Sequence, residues 1–146
     1  MKRRALLLLV LAGACTRPGA AEDAPGTYVL DLRGAADTLW LHRDGRYAHV
    51  YAARGAAPLA SAGTWEFEVL MDRPSATLSR FPYRDPVTHA VHPGRPGTWP
   101  AFIERTLTGA VVLPVNPDVA VRYRRVSPRP VGSGGRAVLE QADPGR

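Results

Sequence analysis

Four histidines, two closely spaced glutamates and a scatter of serines are the side chains with the means to do chemistry in this sequence. His89 and His92 lie in a proline-rich stretch, and His42 and His49 flank Asp44-Gly45. Imidazole is a good ligand for zinc and copper, so His42, His49, His89 and His92 are the candidate metal ligands. Their spacing does not bring the two pairs together, and the plainer reading is four packed or solvated rings. Glu66 and Glu68 alternate with Trp65 and Phe67. On a strand both carboxylates would leave one face about 7 Å apart, near glycosidase separations. Two acids on the water side of a strand is the simpler account. No Gly-x-Ser-x-Gly elbow is present, and the glycines at 132–135 follow no strand. Neither a nucleophile elbow nor a phosphate loop is therefore read. No catalytic residue and no dissociable cofactor is expected, and the chain reads as a non-enzyme. Trp40, Tyr47, Tyr51, Trp65 and Trp99 are the candidate walls of a cavity for a small apolar ligand.

The sequence holds one cysteine, Cys15, which excludes an internal disulfide. Its position is informative. Met1-Lys2-Arg3-Arg4 is basic, Ala5 to Leu11 is an apolar run too short to span a bilayer, and Ala12-Gly13-Ala14 are small. That is the order of an export signal. The segment resembles the lipobox of bacterial lipoproteins, with Leu11 one place earlier than the usual leucine. The resemblance implies a signal peptide over 1–14 and cleavage before Cys15. It also implies a diacylglycerol on that sulfur and an acyl group on the new amine. Two or three chains would make a stable membrane anchor. Thr16 in place of aspartate points to the outer membrane of a diderm cell, facing the periplasm or the surface. Residues 15–25 are small, polar and proline-bearing, and read as a lipidated tether.

Formal net charge is +6, but Lys2, Arg3 and Arg4 fall in the signal segment. The arginines that remain are scattered among acids, with no basic helix, so nucleic acid is not an expected partner. The expected partners are the membrane, through the anchor, and an envelope protein or small apolar ligand. The 14 prolines and 14 glycines oppose long helices and suit turns between short strands.

The body that must position these residues reads as strands. Alternating apolar runs cover 27–33, 37–43, 46–53, 61–70, 75–81, 101–107, 110–115 and 119–126. About eight strands at this spacing predict an all-β fold over 26–126: one small antiparallel barrel or curled meander. Trp65, Phe67 and Val69 share the expected inner face. Asp44-Gly45 marks a hairpin with two readings. A two-residue turn pairs His42 with Tyr47. A three-residue loop, with Gly45 left-handed in a bulge, pairs Leu41 with Tyr47 and Leu39 with His49. The second is favoured because it collects Leu39, Leu41, Tyr47 and Tyr51 on one buried side. Residues 82–100 read as a long proline-rich loop, with one irregular strand as the alternative. Residues 127–146 read as a disordered tail.

Gly26-Thr27-Tyr28, Leu39-Trp40-Leu41, Asp44-Gly45-Arg46-Tyr47 and Gly63-Thr64-Trp65 together form a strand grammar. It resembles that of small lipocalin-like β-barrel lipoproteins. It is also similar to the N-terminal barrel of copper-resistance-type outer-membrane lipoproteins, which act in envelope-stress signalling. That family's CxxC is absent here, so the resemblance carries the architecture alone. The expected function is a lipid-anchored envelope protein with a binding or interaction role. The alternative is a histidine-based metal-handling or stress-sensing lipoprotein.

Overall fold

The computed structural model describes residues 16–85, 88, 90–116 and 121–126. Cys15, the signal segment 1–14, His89 and the tail 127–146 lie outside the described residues. Ten strands are present among those described: β1 (Thr16–Pro18), β2 (Gly26–Leu32), β3 (Ala35–Leu41), β4 (Arg46–Ala53), β5 (Leu59–Leu70), β6 (Arg73–Arg84), β7 (Val91–Phe102), β8 (Glu104–Thr106), β9 (Val111–Asn116) and β10 (Val121–Val126). One short 3-10 turn, Ala21–Asp23, joins β1 to β2. The strands form a single sheet in the order β1-β8-β9-β10-β2-β3-β4-β5-β6-β7. Every paired neighbour is antiparallel. The expected all-β curled sheet is therefore the fold, with more strands than the alternation alone suggested.

The sheet curls into a half-barrel because β7 runs into β8 through the single residue Ile103. The first pairs with β6 at one end of the sheet, and the second pairs with β9 and β1 at the other. Chain continuity thus joins the two ends at one level. Above it, β7 and the upper part of β9 face each other with no ladder between them among the described residues. Pro96 and Pro100 lie on this strand, which suits an edge, where no neighbour needs the missing N–H.

Alternation of side chains sets what is buried. Tyr28, Leu30, Leu39, Leu41, Tyr47, Trp65, Ala76, Leu78, Ile103, Leu113 and Tyr123 form the inner face. The first hairpin shows why. Leu41 lies opposite Tyr47 and Leu39 opposite His49. Gly45 takes φ 80°, a left-handed backbone that glycine adopts without a side-chain clash. The three-residue reading holds. Gly63 is required for a different reason. A Cβ there would lie 2.7 Å from both the Tyr47 ring and the Ser79 carbonyl oxygen. The missing side chain lets the tyrosine hydroxyl reach that carbonyl, at 2.9 Å.

Several expectations need correction. Residues 16–25 are not a slack tether. They supply β1, and Asp23 and Ala24 are buried. Arg105 donates two hydrogen bonds to the Asp23 carboxylate, through Nε at 2.8 Å and through Nη2. Tyr28 donates to the carbonyls of Asp23 and Ala24, both at 2.8 Å. Small, polar and proline-bearing composition suits a linker, yet the backbone of this segment finds partners. Nor is 82–100 one long loop. β6 continues to Arg84, and β7 begins at Val91. Prolines hid a strand whose outer edge is unpaired. Of the Gly-Thr-aromatic triplets, Gly26-Thr27-Tyr28 opens β2, whereas Gly63 and Gly97 lie inside β5 and β7. Finally, Trp65 is buried but Phe67 and Val69 are exposed. β4 pairs with β5 only as far as Thr64, so the rest of the β5–β6 hairpin projects past the barrel.

Antiparallel alternation sorts the connections into two ends. The lower end carries the entry at Thr16, the turns after β3, β5 and β8, and the exit at Val126. The upper end carries the turns after β2 and β4, the ends of β6 and β9, and the starts of β7 and β10.

Candidate functional site

The upper half of the interior is polar. Asp37, from the start of β3, is fully buried and is the hub. Tyr123 of β10 donates its hydroxyl to Asp37 Oδ1 at 2.7 Å. Arg84, at the top of β6, donates Nη2 to Asp37 Oδ2 and also reaches the Tyr123 hydroxyl at 3.1 Å. His49 of β4 places Nε2 2.9 Å from Asp37 Oδ1, but out of line for a hydrogen bond. Its Nδ1 lies 3.0 Å from the Ser61 hydroxyl. Three strands therefore deliver polar side chains to one buried carboxylate, and Arg84 supplies the opposite charge. A bare carboxylate here would be strongly disfavoured, and Arg84 neutralises it while Tyr123 satisfies its second oxygen.

Burial sets the protonation states. It pushes His49 down to about 4. The ring is therefore neutral in ordinary buffers, packed 4.8 Å from the Phe81 ring centroid. Burial also lowers Arg84, an effect opposed by Tyr123, and it raises Tyr123 well above the usual phenol range. Desolvation in each case disfavours the charged form.

Ser61, His49 and Asp37 stand in the order of a hydrolase relay, a juxtaposition that sequence reading missed. The spacing does not reveal it, because the three residues come from different strands. The pairing of β3 with β4 and of β4 with β5 aligns Leu39, His49 and Ser61 in one cross-strand row, and Asp37 sits two places along. A base held at about 4 is not poised to take a serine proton at neutral pH. The carboxylate that would steady an imidazolium is already neutralised by Arg84.

Next to this network the open seam between β7 and β9 forms a cleft of about 240 Å³. Phe81, Trp99 and Val115 give it apolar walls, and Arg84 and Arg95 give it a cationic side. The bulge after Leu78, with Arg80 at φ 54°, turns Phe81 inward to this place. Stacking continues from Phe81 to Trp99 at 4.8 Å and from Trp99 to Tyr123 at 5.8 Å. The cleft can take a small, flat, apolar body with an acidic group turned to the arginines.

No family model matches this sequence, and neither the curated proteins nor the solved structures hold a significant match to it. The site must be read from its own geometry.

Of the five aromatic residues expected to line a cavity, Trp99 alone lines this cleft. Tyr47 and Trp65 fill the core, where the Trp65 Nε1–H donates to the His42 carbonyl at 2.9 Å. Tyr51 lies below the cleft, its ring 5.9 Å from the Arg84 guanidinium. Trp40 points outward, in a row with Thr27 and Val126, because the register places it opposite Ala48. The three described histidines do not gather either, and His89 lies outside the described residues. His42 is exposed at the lower end, His49 is buried in the network, and His92 is exposed at the upper end. Among the described residues no group of histidine, cysteine and acidic side chains could hold a metal ion. Glu66 is exposed and Glu68 accepts from Thr77 at 2.7 Å, both on the outer side of β5 and away from the cleft.

Proposed function

We propose that this chain is a lipid-anchored envelope protein whose half-barrel binds a small apolar or weakly acidic ligand at its upper end, without catalysis. One observation carries the reading. Strand β1 begins at Thr16, the residue after Cys15, and it does so at the end of the sheet opposite the Phe81–Trp99 cleft. A lipid on Cys15 would hold one end at a membrane and leave the other open to solution. The basic, apolar and small segments before Cys15 support export and lipidation. The apolar walls and two arginines of the cleft support the ligand class.

Intact-mass analysis of the native protein tests the anchor. The expected product begins at Cys15 and carries the mass of a diacylglycerol and an acyl chain. Cys15→Ser is expected to move the protein from the membrane to the soluble fraction. A native product that keeps residues 1–14, or begins at an unmodified residue, would refute the anchor. Trp99→Ala tests the cleft with an apolar fluorescent carboxylate as the probe. Binding by the unaltered protein that survives this change unaltered would place the ligand elsewhere.

A further inference from the structure

The lower end of the molecule carries an apolar surface with no partner among the described residues. Among the described residues, six large hydrophobic side chains are exposed, and five of them lie at this end. Met71 is 91% exposed, Leu107 67%, Val69 62%, and Phe67 and Val126 40% each. The sixth, Tyr83, is near the upper cleft. The surface is built from separate elements: the projecting β5–β6 hairpin, the turn after β8, and the last residue of β10.

The tip of that hairpin is unusual. Leu70 pairs with Arg73, so Met71 and Asp72 form a two-residue turn, with φ 51° and 59°. Such a turn favours asparagine and glycine, because both central residues are left-handed. Here a left-handed backbone holds a methionine out at the very tip. A polar residue would be easier to place there, so the side chain itself is what the turn presents.

We infer that the lower end rests on the lipid bilayer, with Met71, Val69 and Leu107 entering the headgroup region. The inference deepens the anchoring proposal and rests on it. What selects a bilayer as the occupant is the distance along the chain. Thr16 pairs with Thr106, directly beside Leu107, so a lipid on the preceding residue has no spare length. Any surface into which that lipid inserts is held against this end. The outward Trp40, beside Val126 on the same end, suits the interface, where amphipathic rings accumulate. Asp72 and Arg43, both exposed at this end, keep the seat shallow, since charge resists the hydrocarbon region.

The test places a thiol-reactive, environment-sensitive fluorophore at Met71→Cys, with Arg54→Cys at the upper end as the control. Cys15 is the only native cysteine, so in the lipidated protein no other thiol competes. The full chain is reconstituted in phosphatidylethanolamine–phosphatidylglycerol vesicles containing nitroxide-labelled lipid. A second arm uses the chain from residue 15 with Cys15→Ser and an N-terminal histidine tag on nickel-chelating vesicles, which holds the same end without native lipidation. The expected result is quenching of the Met71→Cys probe about threefold greater than the control in both arms, the contrast between interfacial and solvated positions. Equal quenching at the two positions overturns the inference even when Cys15 carries lipid. A probe already shielded without vesicles also overturns it, because a second copy or the chain beyond Val126 would then cover this end. A bare Cys15 refutes the anchor alone, and the tagged arm still decides whether the lower end seats on a bilayer.

Discussion

The two ends of this half-barrel solve opposite problems. The upper interior buries polar groups: Asp37, Arg84 and Tyr123 withdraw from water and satisfy one another, with the neutral His49 ring packed beside them. The lower end does the reverse and leaves apolar side chains in water, above a floor sealed by Asp23, Ala24 and Ile103. Burying polar groups and exposing apolar ones both cost stability. Each end therefore departs from what packing alone would select, and departures of that kind gather where a protein meets something else.

The largest expected effect breaks the upper end. Asp37→Ala leaves the buried guanidinium of Arg84 without its carboxylate, and chemical denaturation should report a loss of about 3–5 kcal/mol. The double variant Asp37→Leu with Arg84→Met should lose far less than that, because no charge is then stranded. A double variant as unstable as the single one would show that the charge pair is not the reason for the cost.

The pH dependence comes next. Burial holds the folded His49 at about 4, against 6.5 for the free side chain. Below 6.5 the unfolded chain takes up a proton that the folded chain refuses, so stability is full above that value. It is lost as pH falls through this window and levels off below about 4. The drop attributable to this residue is up to about 3 kcal/mol. Denaturation midpoints between pH 7 and 4 should follow it, and His49→Gln should flatten that part of the curve. An unchanged slope in the variant would assign the drop to carboxylates.

A smaller effect is expected at Gly63→Ala, where the new methyl group meets the Tyr47 ring and the Ser79 carbonyl. Overpacking of this kind costs about 1–3 kcal/mol, and thermal melting should report it. The smallest change has the opposite sign. Met71→Asn replaces a residue that resists the left-handed turn by one that accepts it, for a gain of about 1 kcal/mol. If the lower end seats on lipid, the same change should weaken vesicle contact. Gain in one assay and loss in the other would separate the two ends most sharply.

The sequence made the fold class legible because alternation over β2 to β5 is strong and Gly45 fixes the register of the first hairpin. It hid β7, since proline suppresses the strand signal even at an edge where it is tolerated. It hid β1, because three residues are too few to show a period. The candidate site was harder to see. Trp99 was singled out for its aromatic character, and it does line the cleft. Trp40 was singled out for the same reason and faces outward, since ring chemistry says nothing about which face a residue takes. His49 was weighed as a metal ligand because imidazole invites it. Asp37, Arg84 and Tyr123 carry no mark in the sequence. They meet through pairings between strands up to 86 residues apart, and only the curl of the sheet brings them together.

The pairing of Thr16 with Thr106 has a consequence for how the molecule is made. Strand β1 is among the first parts of the described chain to be synthesised, yet its one ladder among the described residues is with a strand near the far end of the domain. Closing so long a loop is slow and gains nothing until most other pairings exist. The floor of the half-barrel therefore belongs with the β2–β10 ladder among the pairings that must wait for the rest of the chain. Until then the inner face is open from below, and any helper that shields it during assembly must hold on at that side.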